Sequence, residues 1–129
     1  MGKVLYIVVP CYNEQEVLPE TAERLKNKIG RLREAGQIDA GSRILFVNDG
    51  SRDGTWALIQ SLCAADAVYA GVNLSRNRGH QNALLAGIAT AVEHADMIVS
   101  MDADLQDDID AADRMIAAFL EGNDVVYGV

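Results

Sequence analysis

The residues with the clearest chemical potential lie in Ile98-Val99-Ser100-Met101-Asp102-Ala103-Asp104-Leu105-Gln106-Asp107-Asp108, where an apolar run ends in four carboxylates within seven residues. A strand that delivers Asp102 and Asp104 two residues apart points both side chains the same way if the backbone stays extended. Two such carboxylates repel each other unless a cation lies between them. Hard divalent ions such as Mg²⁺ and Mn²⁺ are held by one or two carboxylates together with substrate phosphates, so Asp-x-Asp at a strand end points to a metal–diphosphate site. The structural alternative is that the acids cap the following helix, where Asp is favoured. That alternative suits Asp107 and Asp108.

Whatever holds these carboxylates must be built by the rest of the 129 residues, one domain's worth of chain. Half of the residues are hydrophobic and 23% are charged, a globular profile. The net charge of −8 argues against general nucleic-acid binding, and after Arg52 only Arg76, Arg78 and Arg114 are basic. An acidic protein that binds phosphate must therefore do so locally, with a metal and a few arginines. Cys11 and Cys63 are too few for a disulfide framework or a zinc site and read as reduced thiols. No apolar run approaches the ~18 residues of a membrane helix, and Met-Gly-Lys followed at once by a strand pattern is not a signal peptide. The expectation is a domain that folds in the cytoplasm.

Periodicity supplies the scaffold. Residues 3–9 form a β-branched apolar run closed by Pro10, a strand buried on both faces. After the loop 10–16, Leu18, Ala22, Leu25, Ile29 and Leu32 recur at helical spacing. Pro19 belongs in the first helical turn and pushes Leu18 toward an extended shape, which predicts a helix from about residue 19 to about 35. Further strands are expected at 43–48, 67–74 and 97–101, helices at 55–65, 81–93 and 108–120, and a fifth strand from Asp124. Strand and helix thus alternate four times. Right-handed crossovers then require an α/β fold with a mainly parallel sheet and helices on both faces. The polar loops 10–16, 49–55, 75–80 and 102–107 all follow strands, and ligands of such sheets bind beyond the strands' carboxyl ends. Taken singly, Asn13 reads as a turn residue, Gly50 and Gly54 as positions permitting positive φ, Tyr12 as packing on the first helix, and His80 as a capping or surface residue.

Four of these stretches together carry a resemblance: Val8-Val9-Pro10-Cys11-Tyr12-Asn13-Glu14, Val47-Asn48-Asp49-Gly50-Ser51-Arg52-Asp53-Gly54-Thr55, Asn77-Arg78-Gly79 and Met101-Asp102-Ala103-Asp104-Leu105-Gln106. In this order the set resembles the nucleotide-sugar half of family 2 glycosyltransferases of GT-A fold. It is most similar to the branch that moves sugars onto dolichol or undecaprenyl phosphate. The resemblance implies that Pro10, Tyr12 and Glu14, with Asn13 in the same loop, touch base and ribose, and that Asp49 reads the base edge. It also implies that Asp102 and Asp104 hold Mg²⁺ or Mn²⁺ on the diphosphate, with Gln106 as a further ligand. Arg78 and Arg76 suit diphosphate oxygens, because guanidinium forks match them.

The implied reaction is inverting transfer of a hexose from a UDP- or GDP-linked donor to a lipid-phosphate or glycan acceptor, most simply a polyprenyl phosphate. The cation takes up charge on the leaving diphosphate. Resembling proteins continue past the equivalent of Val129 into an acceptor half, often with membrane segments. The expectation is therefore an amino-terminal portion, inactive alone, that keeps the donor and metal groups. It would sit at the cytoplasmic face of the membrane in the full-length protein and could pair with its own copies through an uncovered sheet edge. Two other classes compete. One is a non-catalytic binder of nucleotide and metal. The other is a signalling receiver domain, which needs an acidic pair after the first strand and a lysine after the last, whereas this chain has Pro10-Cys11-Tyr12-Asn13 and no lysine after Lys28. A dinucleotide oxidoreductase would need Gly-x-Gly-x-x-Gly after the first strand, and none is present.

Overall fold

The computed structural model describes residues 3–77 and 79–101. Along them run β1 (Leu5–Cys11), α1 (Leu18–Glu34), β2 (Arg43–Asp49), α2 (Thr55–Ala65), β3 (Tyr69–Leu74), α3 (His80–Ala91) and β4 (Met97–Ser100). The strands form one sheet in the order β3-β2-β1-β4, with every neighbouring pair parallel. Val8 at its centre faces Leu45 on one side and Ser100 on the other. This is the α/β architecture with a mainly parallel sheet that the alternating pattern predicts. The helix expected at 108–120 and the strand expected from Asp124 lie outside the described residues.

The uninterrupted apolar runs follow from burial of both sheet faces. Leu5, Ile7, Val9 and Cys11 of β1 join Ile44 and Phe46 of β2, Met97 and Val99 of β4, and Leu18, Ala22, Leu25 and Ile29 of α1 in one core cluster, with Ile59 of α2. Val8, Leu45, Val47 and Ile98 turn the other way and pack with Ala83 and Ala91 of α3. α1 and α2 therefore cover one face and α3 the other. α3 lies very close to the sheet: a Cβ on Gly87 would stand 2.5 Å from Val8 Cγ1 and 2.8 Å from Val47 Cγ2. Across the first face, the Tyr69 hydroxyl donates to the Ala22 carbonyl at 2.8 Å and ties β3 to α1.

Several boundaries differ from the sequence expectation by one or two residues, and those at Pro10, Leu18 and Tyr69 bear on the loops. Pro10 does not close β1 but lies inside it, opposite Val47. The reason is parity. The N–H of Leu5 turns toward the β2 side, where it meets Ser42 Oγ, while the carbonyl of Val8 turns toward β4 and accepts the N–H of Met101. Pro10 shares the parity of Val8, and the described β1–β4 pairing ends at Val8 and Ser100, so the donor missing from Pro10 removes no bond to β2. Leu18 is the first helical residue rather than an extended one, with Pro19 in the first turn. Its N–H and that of Val17 both reach the Glu14 carbonyl, at 2.9 and 3.2 Å, and its fully buried side chain reaches the core. β3 begins at Tyr69, two residues later than expected.

The chain moves from β1 to β2 to β3 in one direction, and β4 then lies on the opposite side of β1. The strand order therefore reverses between β1 and β4. A crevice at the carboxyl ends of such a pair is where open α/β sheets bind ligands.

Candidate functional site

At that carboxyl edge the loops after β1 and β2 are joined by reciprocal hydrogen bonds. Asn13, with its backbone in the left-handed region at φ 53°, donates its N–H to Ser51 Oγ at 2.9 Å, and its side-chain oxygen accepts the N–H of Arg52 at 2.8 Å. Glu14 donates its N–H to Thr55 Oγ1 at 2.9 Å. Gln15 donates its N–H to Asp53 Oδ2 at 3.4 Å, and its side-chain oxygen accepts the N–H of Gly54. Asp53 in turn accepts from both the N–H and the hydroxyl of Thr55, the first residue of α2. Asn is among the few non-glycine residues that tolerate left-handed backbone, so Asn13 lets the chain turn sharply out of β1 toward its partner loop.

The loop after β3 joins the same edge. Asn48 donates its amide to Asn73 Oδ1 at 2.8 Å, and its own Oδ1 accepts the N–H of Ser51 at 3.3 Å. Gly50, at φ +66°, runs so close to residues 76 and 77 that any Cβ there would collide with the backbone of Arg76 and Asn77. Only glycine meets both demands, a positive φ and contact with a neighbouring backbone. Asp49 ends β2 immediately before this turn and is only 3% exposed. Three loops thus form one connected rim around the buried end of β2.

The electrostatics of the rim are acidic. A cavity of about 410 Å³ is lined by Asn13, Glu14, Gln15, Glu16, Val17 and Asp53. Three carboxylates in one lining repel bare phosphate. Burial pushes on the Asp53 carboxyl in the upward direction. The hydroxyl and N–H of Thr55 and the N–H of Gln15 outweigh it and hold the group below its ordinary range, so it stays ionised as an acceptor. Burial, helped by the nearby Glu14 charge, pushes the Cys11 thiol far above its ordinary value, and its Sγ donates to the Val9 carbonyl at 3.3 Å. Cys11 is therefore an inert packing residue rather than a nucleophile.

Of the residues singled out in the sequence, Asn13, Glu14 and Asp49 come together on this rim. Tyr12, in the same loop, is 41% exposed. Pro10 is buried within β1 and shapes the strand below the loop. Arg78, Asp102, Asp104 and Gln106 lie outside the described residues. Among the described residues no group of three His, Cys, Asp or Glu side chains is placed to hold a metal ion. No described helix is long and apolar enough to cross a membrane. Ser51, Asp53 and Thr55, which hold the rim together, read in the sequence only as turn and helix-start residues. Their signal is the density of short hydroxyl and carboxylate side chains in 49–55, a composition suited to local capping as much as to contacts between loops.

Comparison with known proteins identifies a family. The family model described as Glycosyl transferase family 2 matches residues 6–129. The chain is 47% identical over 126 residues to the uncharacterized glycosyltransferase YkoT of Bacillus subtilis, covering 98% of this chain and 37% of that protein. It is 41% identical over 123 residues to a second uncharacterized glycosyltransferase of Bacillus subtilis, YkcC, covering 95% of this chain and 36% of that one. It is 33% identical over 125 residues to an undecaprenyl-phosphate 4-deoxy-4-formamido-L-arabinose transferase of Aeromonas hydrophila, covering 96% of this chain and 36% of that one. The chain thus spans little more than a third of the length of these relatives.

Proposed function

The chain belongs to glycosyl transferase family 2, and from that membership we propose that it is the donor-binding portion of an enzyme moving a hexose from a nucleoside diphosphate sugar to a polyprenyl phosphate, with inversion. The observation that carries the reading is the rim itself: Asn13, Glu14 and Asp49 held together by three joined loops, beside the point where the strand order reverses. A relative named as an undecaprenyl-phosphate transferase supports the lipid-phosphate acceptor.

In this reading the exposed Tyr12 offers its ring face to the base, and the buried side chain of Asp49 accepts from the base's N–H edge. Asn13 and Glu14 line the ribose side, and Arg78 contributes to the diphosphate. Asp102, Asp104 and Gln106 are all hard oxygen donors, a set suited to Mg²⁺ or Mn²⁺ and poorly suited to soft metals. A cation held there supplies the positive charge that stabilises the departing nucleoside diphosphate. An acceptor phosphate is already anionic, so it attacks without a general base from this portion of the chain.

Calorimetric titration of the protein with UDP, GDP and pyrophosphate, each in Mn²⁺, tests the reading. One nucleoside diphosphate should bind more tightly than pyrophosphate, because only it engages the rim. Equal affinity for all three would overturn a base-reading role for Tyr12 and Asp49.

A further inference from the structure

We infer that the hydroxyls of Ser51 and Thr55 are a positioning pair that sets the nucleoside subsite by accepting the successive N–H groups of Asn13 and Glu14. The inference rests on the nucleotide reading above. The two acceptor distances are the same, 2.9 Å, and the donors are adjacent in the loop that carries Tyr12. Ser51 is half-buried, whereas Thr55 is fully buried.

Helix capping does not account for the Thr55 hydroxyl. Asp53 receives the backbone N–H of Thr55 at 2.9 Å, one of the open N–H groups at the start of α2, whereas the side-chain oxygen of Thr55 receives the N–H of Glu14 from the other loop. The hydroxyl instead passes a hydrogen bond from one loop to the other: it accepts from Glu14 and donates to Asp53. A buried hydroxyl with both its donor and an acceptor lone pair engaged fixes the positions of both partners. Ser51 Oγ accepts the N–H of the preceding residue of the loop, Asn13, and the backbone N–H of Ser51 is held in turn by Asn48 Oδ1. Tyr12 and Asn13 are thereby placed relative to Asp49 from the β2 side. Loosening the pair lets the base and ribose contacts drift while leaving untouched the residues proposed to meet the metal and diphosphate.

The test uses the same titration with Ser51→Ala, Thr55→Val and Thr55→Ser. Thr55→Val keeps the side-chain shape and the backbone bond to Asp53 but removes the hydroxyl. Ser51→Ala removes the second acceptor from a half-buried site, where unfolding is not the expected outcome. Each should weaken nucleoside diphosphate binding about tenfold, the loss of roughly one hydrogen bond, with pyrophosphate binding unchanged. Thr55→Ser, which restores the hydroxyl, should bind within about twofold of the parent, and thermal melting should stay cooperative in all three. Parent-like nucleotide affinity in Ser51→Ala or Thr55→Val would overturn the inference. So would equal weakening toward nucleotide and pyrophosphate, or a Thr55→Ser variant as weak as Thr55→Val. A parent protein that does not prefer nucleoside diphosphate over pyrophosphate would overturn the nucleotide reading itself, and this inference with it.

Discussion

Gly50 and Asn77 come from loops after different strands, yet the space beside the Gly50 Cα is filled by the backbone of Asn77 and Arg76. At the same point the Gly50 backbone has φ +66°, which a side chain makes costly. Gly50→Ala should therefore either push the 75–77 loop away or unwind the turn, losing about 1–3 kcal/mol of stability. Urea denaturation measures the loss, and nucleotide affinity should fall with it. A change below about 0.5 kcal/mol would mean that the two loops are not in fixed contact.

Asp49→Ala separates two portions of a ligand. If Asp49 accepts from the base, the variant should bind nucleoside diphosphate more weakly and pyrophosphate with Mn²⁺ as tightly as the parent does. Equal weakening of both would make Asp49 a structural residue at the end of β2.

The Asp53 carboxyl is held below its ordinary range against the upward influence of burial, by the Thr55 hydroxyl and N–H and the Gln15 N–H. A depressed carboxylate adds stability that is present above its unfolded pKa and lost as pH falls through the lower folded value. Carbon-13 NMR should find its titration midpoint below the ordinary Asp value of about 3.9. Replacing Thr55 with Val should move it upward. A midpoint at or above the ordinary value would show that the two loops are not joined through Asp53 in solution.

Tyr69 offers a check on the core away from the site. Burial, with the charges of Asp66 and Glu23, pushes its phenol up to about 12, and its hydroxyl donates to the Ala22 carbonyl. The raised value means that the neutral phenol supports the fold below its unfolded pKa of about 10, and that this support is lost as pH rises through the folded value. Tyr69→Phe should cost about 1 kcal/mol at neutral pH by chemical denaturation. Absorbance titration should lose its most alkaline phenol transition in the same variant.

Much of the fold can be read in the sequence because burial on both sheet faces leaves a strong mark. The runs around Ile7, Leu45 and Val99 are apolar at every position, and no surface strand would be. Pro10 misleads because proline's cost depends on which neighbour its missing N–H would face, and that parity exists only once β4 lies beside β1. The close seat of α3 on β1 and β2, down to the clearance between Gly87 and the side chains of Val8 and Val47, is likewise visible only in the fold. In the site, the loops carrying Asn13 and Asp49 are recognisable because they follow strands. The bonds from Ser51 and Thr55 are not, since they join residues 38 and 41 positions apart whose types are equally at home in a local turn.

The proposal that a nucleoside diphosphate binds through a cation held by Asp102 and Asp104 underlies every ligand titration above. It is tested most directly by calorimetric titration of the preferred nucleoside diphosphate with Mn²⁺, with chelator, and in Asp104→Asn. Asn keeps the shape of the side chain and removes the charge, so the account predicts binding in Mn²⁺ that is lost both with chelator and in the variant. Equal affinity in all three conditions would contradict it.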